Sequence, residues 1–285
     1  VNDYVAGGDL KYAVNDQVSF SQRLVEAGFS RQRIFSLLSG AKNAKDQPFK
    51  RNIETRLQTV MGLAKEGDFV LVAFSGHGTH INGDSYICPA DADPDSPKKT
   101  MIKVADIYAE LNKSKATFKL LIVDACRNIP LAAEKRSLVD EEESLRGIAK
   151  TFAAPPSGIL VLSSSAAGQY SYEDPKLELG VFMNFLQIGL TGVADTEQGN
   201  RDGQVSILEL YKYTERGTKL FVSKKYGTLQ TPNLVGDTTG DPVLGVPRTV
   251  ITNTIGMKFN KIPAGTFIMG IRDRIMGTKE DLHKV

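Results

Sequence analysis

Apolar residues in this chain follow two alternating patterns. The first is the short unbroken run: Asp68-Phe-Val-Leu-Val-Ala-Phe74, Lys119-Leu-Leu-Ile-Val-Asp124 and Gly158-Ile-Leu-Val-Leu162. Runs of this length, closed by small or polar residues, predict strands buried on both faces of a sheet. The second is helical spacing. Ala13, Val14, Phe20, Leu24 and Val25 predict a helix within 10–27, stopped by Gly28, and Ile53, Leu57, Val60 and Leu63 predict another within 50–65. Further helices are expected at 104–111, 180–190 and 208–224. Shorter extended pieces are expected at 33–38, 85–88 and 203–207. Strands alternating with helices at this rhythm predict an α/β fold, a mostly parallel sheet flanked by helices on both faces. The charged stretch 127–156, with Glu134-Lys-Arg136 and the acidic run Asp140 to Glu143, reads as a mobile loop instead of a packed element.

Two of the strand runs end in reactive side chains. The first opens into Ser75-Gly-His77-Gly78, the second into Ala125-Cys126-Arg-Asn128. If the strands are parallel neighbours, His77 and Cys126 emerge side by side at the carboxyl edge of the sheet, where open α/β sheets place their chemistry. A thiol beside an imidazole is the minimum for nucleophilic catalysis. Either residue alone reads as a core cysteine or a loop histidine. Their matched placement favours catalysis.

Composition narrows the remaining classes. A length of 285 residues suits one large α/β domain, or a domain and part of another. The 35 Lys and Arg residues are interspersed with 33 acids, for a net charge of +2. No basic block asks for nucleic acid or an anionic membrane. No apolar run approaches the roughly 20 residues of a membrane span. Two cysteines, Cys88 and Cys126, do not make a disulfide framework, so a reducing, cytoplasmic setting is expected. Val1-Asn-Asp has the look of the tail of a strand whose body lies upstream, so the first strand is expected to be truncated.

With these residues in view, a family resemblance can be stated. Phe74-Ser-Gly-His77-Gly and Val123-Asp-Ala-Cys126-Arg resemble the two signature stretches of caspase-like cysteine peptidases. Leu10-Lys-Tyr-Ala13-Val-Asn15-Asp16 is similar to the segment after the first strand in the metacaspase and orthocaspase branch. Together with Gly203-Gln-Val-Ser-Ile-Leu-Glu-Leu210 and Gln230-Thr-Pro-Asn-Leu234, the likeness spans 1–245.

The resemblance implies an endopeptidase without organic cofactor, working as a monomer on protein or peptide substrates. Cys126 would be the nucleophile and His77 its proton donor and acceptor, with the oxyanion against the N–H groups of Gly78 and Cys126. Asp16, Ser75 and Asp124 would line the first specificity pocket. Two carboxylates there favour Arg or Lys before the cut bond and repel Asp. The alternative for Asp16 is a structural role at the first helix. Lys135, Arg136, Arg146 and Lys150 are candidate self-cleavage positions. The rival function is a catalytically silent caspase-fold interaction module, against which both His77 and Cys126 are retained.

No metal site is assigned. Asn200 to Glu209 resembles part of a calcium-binding loop, but Gln198 stands where the first acid belongs. That leaves calcium doubtful and the segment read as a turn. Asp91, Asp93 and Asp95 read as solvated loop acids. His77, His80 and Cys88 are too few for zinc. In the last forty residues, Thr252-Asn-Thr-Ile-Gly256-Met-Lys-Phe and Ile262-Pro-Ala-Gly-Thr-Phe-Ile-Met-Gly270 resemble the opening of a formylglycine-generating-enzyme-like module. Residues 246–285 are therefore expected to be a linker and a fragment of that module, continuing past Val285.

Overall fold

The computed structural model describes residues 1–6, 8–127, 138–238 and 240–246, with short strands beyond them; for 126–127, 138–143, 145 and 250 onward the description covers the backbone alone. Two compact units result, Val1–Pro247 and Arg248–Val285.

In the first unit, helix α1 (Ala13–Glu26) and helix α2 (Lys50–Leu63) precede strand β1 (Phe69–Ile81). Strand β2 (Asp84–Ile87), the short helix α3 (Pro97–Thr100), strand β3 (Ile102–Lys103) and helix α4 (Val104–Lys113) lead to β4 (Phe118–Arg127). Helix α5 (Leu138–Phe152) and strand β5 (Leu160–Ser163) follow, then the small hairpin β6 (Glu173–Asp174) and β7 (Leu179–Gly180). Helix α6 (Val181–Ile188), helix α7 (Ala194–Gln198), strand β8 (Val205–Ser206), helix α8 (Ile207–Tyr226), and strands β9 (Asn233–Val235) and β10 (Val243–Gly245) complete it.

Six strands form the main sheet in the order β3-β2-β1-β4-β5-β9. Its centre, β1, β4 and β5, is parallel; β2 and β9 flank it antiparallel, and β3 pairs antiparallel with β2 at the edge. The period-2 alternation of a strand sends neighbouring side chains to opposite layers. Leu121, Val123 and Ala125 pack with α2, α4 and α5, whereas Leu120 and Ile122 pack with α1, α6 and α8. Helix α8 is closed at both ends by local chemistry. At α8, Ser206 and Glu209 form a reciprocal capping box, and Gly227 ends the helix in the left-handed region at φ 66°. Among the described residues, no helix is long and apolar enough to cross a membrane.

Two expectations are corrected. Residues 34–38 are not a strand: a 3-10 turn spans Arg31–Arg33, and the segment after it joins no ladder. A strand needs a partner for its backbone, and none of the described strands lies beside it. The stretch expected to be a loop at 127–156 contains α5, whose Ile148, Ala149 and Phe152 are buried. The acids from Asp140 to Glu143 share that helix with a buried apolar stripe.

The second unit holds two short antiparallel ladders, Val250–Thr252 with Lys258–Asn260 and Ile268–Met269 with His283–Lys284. Most of the stretch that resembles the formylglycine-generating-enzyme opening lies outside the described residues.

Candidate active site

Strands β1 and β4 run parallel and in register from Phe69 opposite Phe118 to Ser75 opposite Asp124. Beyond that pair the register breaks, and Cys126 and Arg127 both lie opposite His77. Such a bulge at a strand end turns the last residues out of the regular pleat. The topology thus brings the two signature stretches to one sheet edge, with the backbone positions of His77 and Cys126 adjacent.

His77 is held from the N-terminal segment. Its side-chain Nε2 lies 2.7 Å from the carbonyl oxygen of Gly8, and its backbone N–H donates to Tyr4 Oη at 2.8 Å. The Tyr4 ring leans on the imidazole at a centroid distance of 4.6 Å. A carbonyl oxygen can only accept, so Nε2 carries the proton in this contact. In the neutral ring the lone pair then belongs to Nδ1, the nitrogen through which His77 would exchange a proton. Neither Tyr4 nor Gly8 could be assigned this role from sequence, because nothing local marks a loop that folds over a residue seventy positions later.

The candidate specificity residues continue the α1 side of the sheet. Phe69, Leu71 and Ala73 of β1, and Leu120 and Ile122 of β4, face that layer. Ser75 and Asp124 fall on the same alternation, side by side in register. Both are buried, Asp124 completely. Asp124 Oδ1 accepts from Ser171 Oγ at 2.6 Å. Ser171 in turn accepts from Gln230 Nε2 at 3.0 Å, so its single hydroxyl proton is directed at the carboxylate. Gln230 is itself fixed, donating to Ser164 O and accepting from Tyr172 N–H. Ser75 Oγ accepts from Gln17 Nε2 at 2.8 Å.

Asp16, one residue before Gln17, is also completely buried. Its Oδ1 accepts from Gly180 N–H at 2.8 Å, at the start of α6. It therefore braces the N-terminus of a different helix from its own, where the backbone dipole favours a negative charge. Ser171, Gln17 and Gln230 were missed by sequence reasoning. Only Gln230 lay in a segment that carried the resemblance, and it had no role there.

The other candidates separate from this site. Cys88 is buried, and burial pushes its thiol up to about 12, which keeps it protonated and inert. His80 Nδ1 pairs with Ser85 Oγ at 2.8 Å, so the two histidines face different partners. Glu209 accepts from the backbone N–H groups of Asn200 and Ser206, and Asp195 from those of Asp202 and Gly203. Those carboxylates order the turn before α8. Arg146 and Lys150 are exposed positions on α5. A protease cleft takes extended chain, so cutting there would require unwinding the helix. Lys135 and Arg136 lie outside the described residues.

A family profile described as the caspase domain matches residues 1–241. The chain belongs to the caspase-domain family. Membership in it supports a cysteine peptidase, a hydrolase of protein substrates. Among solved structures, a protein of Geobacter sulfurreducens is similar at 18% identity and a TM-score of 0.53, covering 82% of this chain and 87% of that one. Caspase-1 of Spodoptera frugiperda is similar at 18% identity and a TM-score of 0.49, with 84% of each chain covered. At such identity the first of these likenesses speaks for a shared fold alone. No curated protein matches the chain.

Proposed function

We propose that this caspase domain is a cysteine endopeptidase of metacaspase or orthocaspase type that cleaves after Arg or Lys. The observation that carries the reading is Asp124: a wholly buried carboxylate, in register with Ser75, two residues before Cys126. A guanidinium or ammonium entering beside it gains a charge-assisted hydrogen bond, whereas a substrate Asp meets like charge. Asp16 and Ser75 are assigned to the same pocket, Asp16 supplying the second carboxylate.

In the proposed reaction the Cys126 thiol passes its proton to Nδ1 of His77 as sulfur attacks the scissile carbonyl carbon. The oxyanion forms against the N–H groups of Gly78 and Cys126. Collapse breaks the C–N bond, and the imidazolium gives its proton to the departing amine. His77 then takes a proton from water as that water opens the thioester, freeing the acid and the thiol. The Gly8 carbonyl keeps Nε2 protonated throughout and so fixes which nitrogen works. Self-processing is assigned to the segment before α5, at Lys135 or Arg136.

Fluorogenic peptides ending in Arg, Lys or Asp, each assayed with and without calcium, test this reading. Turnover of the Arg and Lys peptides, lost in Cys126→Ala, is expected. Turnover of the Asp peptide alone would refute the pocket. No turnover of any peptide, with Cys126 inert toward a basic peptide electrophile, would leave an interaction module. Intact mass of the active protein beside Cys126→Ala reports processing; identical masses exclude it.

A further inference from the structure

We propose that Ser164 is a further specificity-determining residue, its hydroxyl receiving an N–H of the basic substrate side chain; this rests on the reading of Asp124 as that side chain's charge partner. The three parallel strands at the centre of the sheet each end in a polar residue on the α1 side. Phe69, Leu71 and Ala73 lead to Ser75, Leu120 and Ile122 to Asp124, and Leu160 and Leu162 to Ser164. The β4–β5 ladder pairs Val123 with Ser163, and the Ser164 N–H donates to Val123 O at 2.9 Å. One step further along both strands, Ser164 therefore stands beside Asp124, as Ser75 does on the other side. Neighbouring strands lie about 4.8 Å apart, so one guanidinium or ammonium can reach the end groups of both.

The three end groups differ in how they are satisfied. Ser75 Oγ accepts from Gln17, and Asp124 Oδ1 accepts from Ser171. Ser164 is completely buried, and its hydroxyl has no hydrogen-bond partner. Its backbone, by contrast, is fixed at both ends, by Val123 O and by the Gln230 side chain that donates to Ser164 O. A buried hydroxyl left unpaired is costly, and rigid backbone keeps it from turning away to find a partner. Asp16 and Asp124 are buried as completely as Ser164. A side chain that reaches the carboxylates thus arrives at the depth of this open acceptor.

The number of donors decides which substrate gains more. A guanidinium carries five N–H groups in a fixed planar fork, an ammonium three that rotate. Part of the acceptor capacity of Asp124 is already taken by Ser171. The fork therefore needs a further acceptor in the pocket more than the ammonium does, and Ser164 supplies one. The neighbouring Ser165 is an internal control. It is buried and its hydroxyl is equally without a partner. Alternation turns it to the opposite layer, where with Ser163 it lines a separate hollow against Ala149 and Ala153 of α5.

Kinetics of the wild type, Ser164→Ala and Ser165→Ala on peptides ending in Arg and in Lys test this. Ser164→Ala is expected to raise KM for the Arg peptide about tenfold or more, the loss falling on KM more than on kcat. For the Lys peptide the rise should be about threefold or less. The unfolding temperature should not fall, because the change removes a hydroxyl that nothing pairs. Ser165→Ala should leave both KM values within about twofold. Calorimetry with butylguanidine, comparing Cys126→Ala with Cys126→Ala/Ser164→Ala, should show the same weakening without turnover. Cleavage of the Arg peptide with KM unchanged in Ser164→Ala would overturn the proposal and leave the reading of Asp124 standing. So would equal rises in Ser164→Ala and Ser165→Ala, since a disturbance of β5 would explain both. A wild type that cleaves neither peptide, in a protein that does not bind butylguanidine, would overturn the reading of Asp124 and Ser164 with it.

Discussion

The two faces of the β1–β4 pair differ only in what stands at their last residues. On the α1 side, Phe69, Leu71 and Ala73 give way to Ser75, and Leu120 and Ile122 give way to Asp124. On the α5 side, Val70, Val72 and Phe74 are followed by glycines, and Leu121 and Val123 by Ala125, all against an apolar layer. There a side chain at Gly78 would collide with Ile148 and would sit 2.9 Å from the Ala125 carbonyl. One face thus holds buried polar groups tied by directed hydrogen bonds, and the other fits small residues against a helix. Since the same strands carry both, the apolar face sets where the polar one stands. Changes on the first face should alter chemistry, and changes on the second should alter stability.

The largest separation is expected at the proposed dyad. Cys126→Ala or His77→Ala should lower peptide hydrolysis by about 10³-fold or more, measured as kcat/KM, with the unfolding temperature moved far less. A stability loss that accounts for the lost activity would erase the distinction between the faces. Next comes Asp124→Asn. Removing a buried charge that meets a charged partner costs about 3–5 kcal/mol, so kcat/KM for an Arg peptide should fall by at least about 10²-fold. Turnover of a peptide with a neutral residue at that position should fall much less. Equal losses for both peptides would mean that Asp124 holds the fold and reads no charge.

How far this contrast was legible in the sequence depends on the range of the cause. The runs ending at Phe74 and Val123 announce buried strands, and the polar residues that follow them announce a site, because period and punctuation are local. The helix at 138–152 was hidden because its charges outnumber the few apolar residues that bury it, and a solvated helix face reads like a loop. The segment 34–38 has strand-forming residues but no ladder, since pairing depends on a neighbour and propensity alone cannot supply one. The grip of Tyr4 and Gly8 on His77, and the Ser171–Gln230 relay to Asp124, join residues 47 to 73 positions apart. Their residue types are ordinary, so only the folded topology reveals them.

On the apolar face, Gly147→Ala is a smaller and different test. A Cβ at this α5 position would run into the His80 ring and its Cβ on β1. Neither atom is the far end of a flexible chain, so the helix must shift. Overpacking of this kind costs about 1–3 kcal/mol, which thermal or denaturant unfolding would show. Once the folded fraction is allowed for, kcat/KM per folded molecule should stay near wild type. A large loss of activity in fully folded protein would show that α5 governs the site directly.

The smallest expected effect tests whether buried polar groups beyond the site behave like those within it. Asp174 is completely buried. Burial alone would push its carboxyl up, but hydrogen bonds from Lys225, from Tyr226 at 2.7 Å and from the backbone N–H groups of Lys176 and Leu177 bring it down to about 2. Its folded-state value therefore lies below the usual 3.8. The stabilisation is complete above roughly pH 4 and fades as the pH falls toward 2. Unfolding free energy measured from pH 6 to pH 3 should decline in the wild type and decline less steeply in Asp174→Asn. The variant should already be less stable at neutral pH, because the Lys225 ammonium loses its anionic partner. Parallel pH curves would show that this network contributes packing and little charge, unlike the pocket proposed around Asp124.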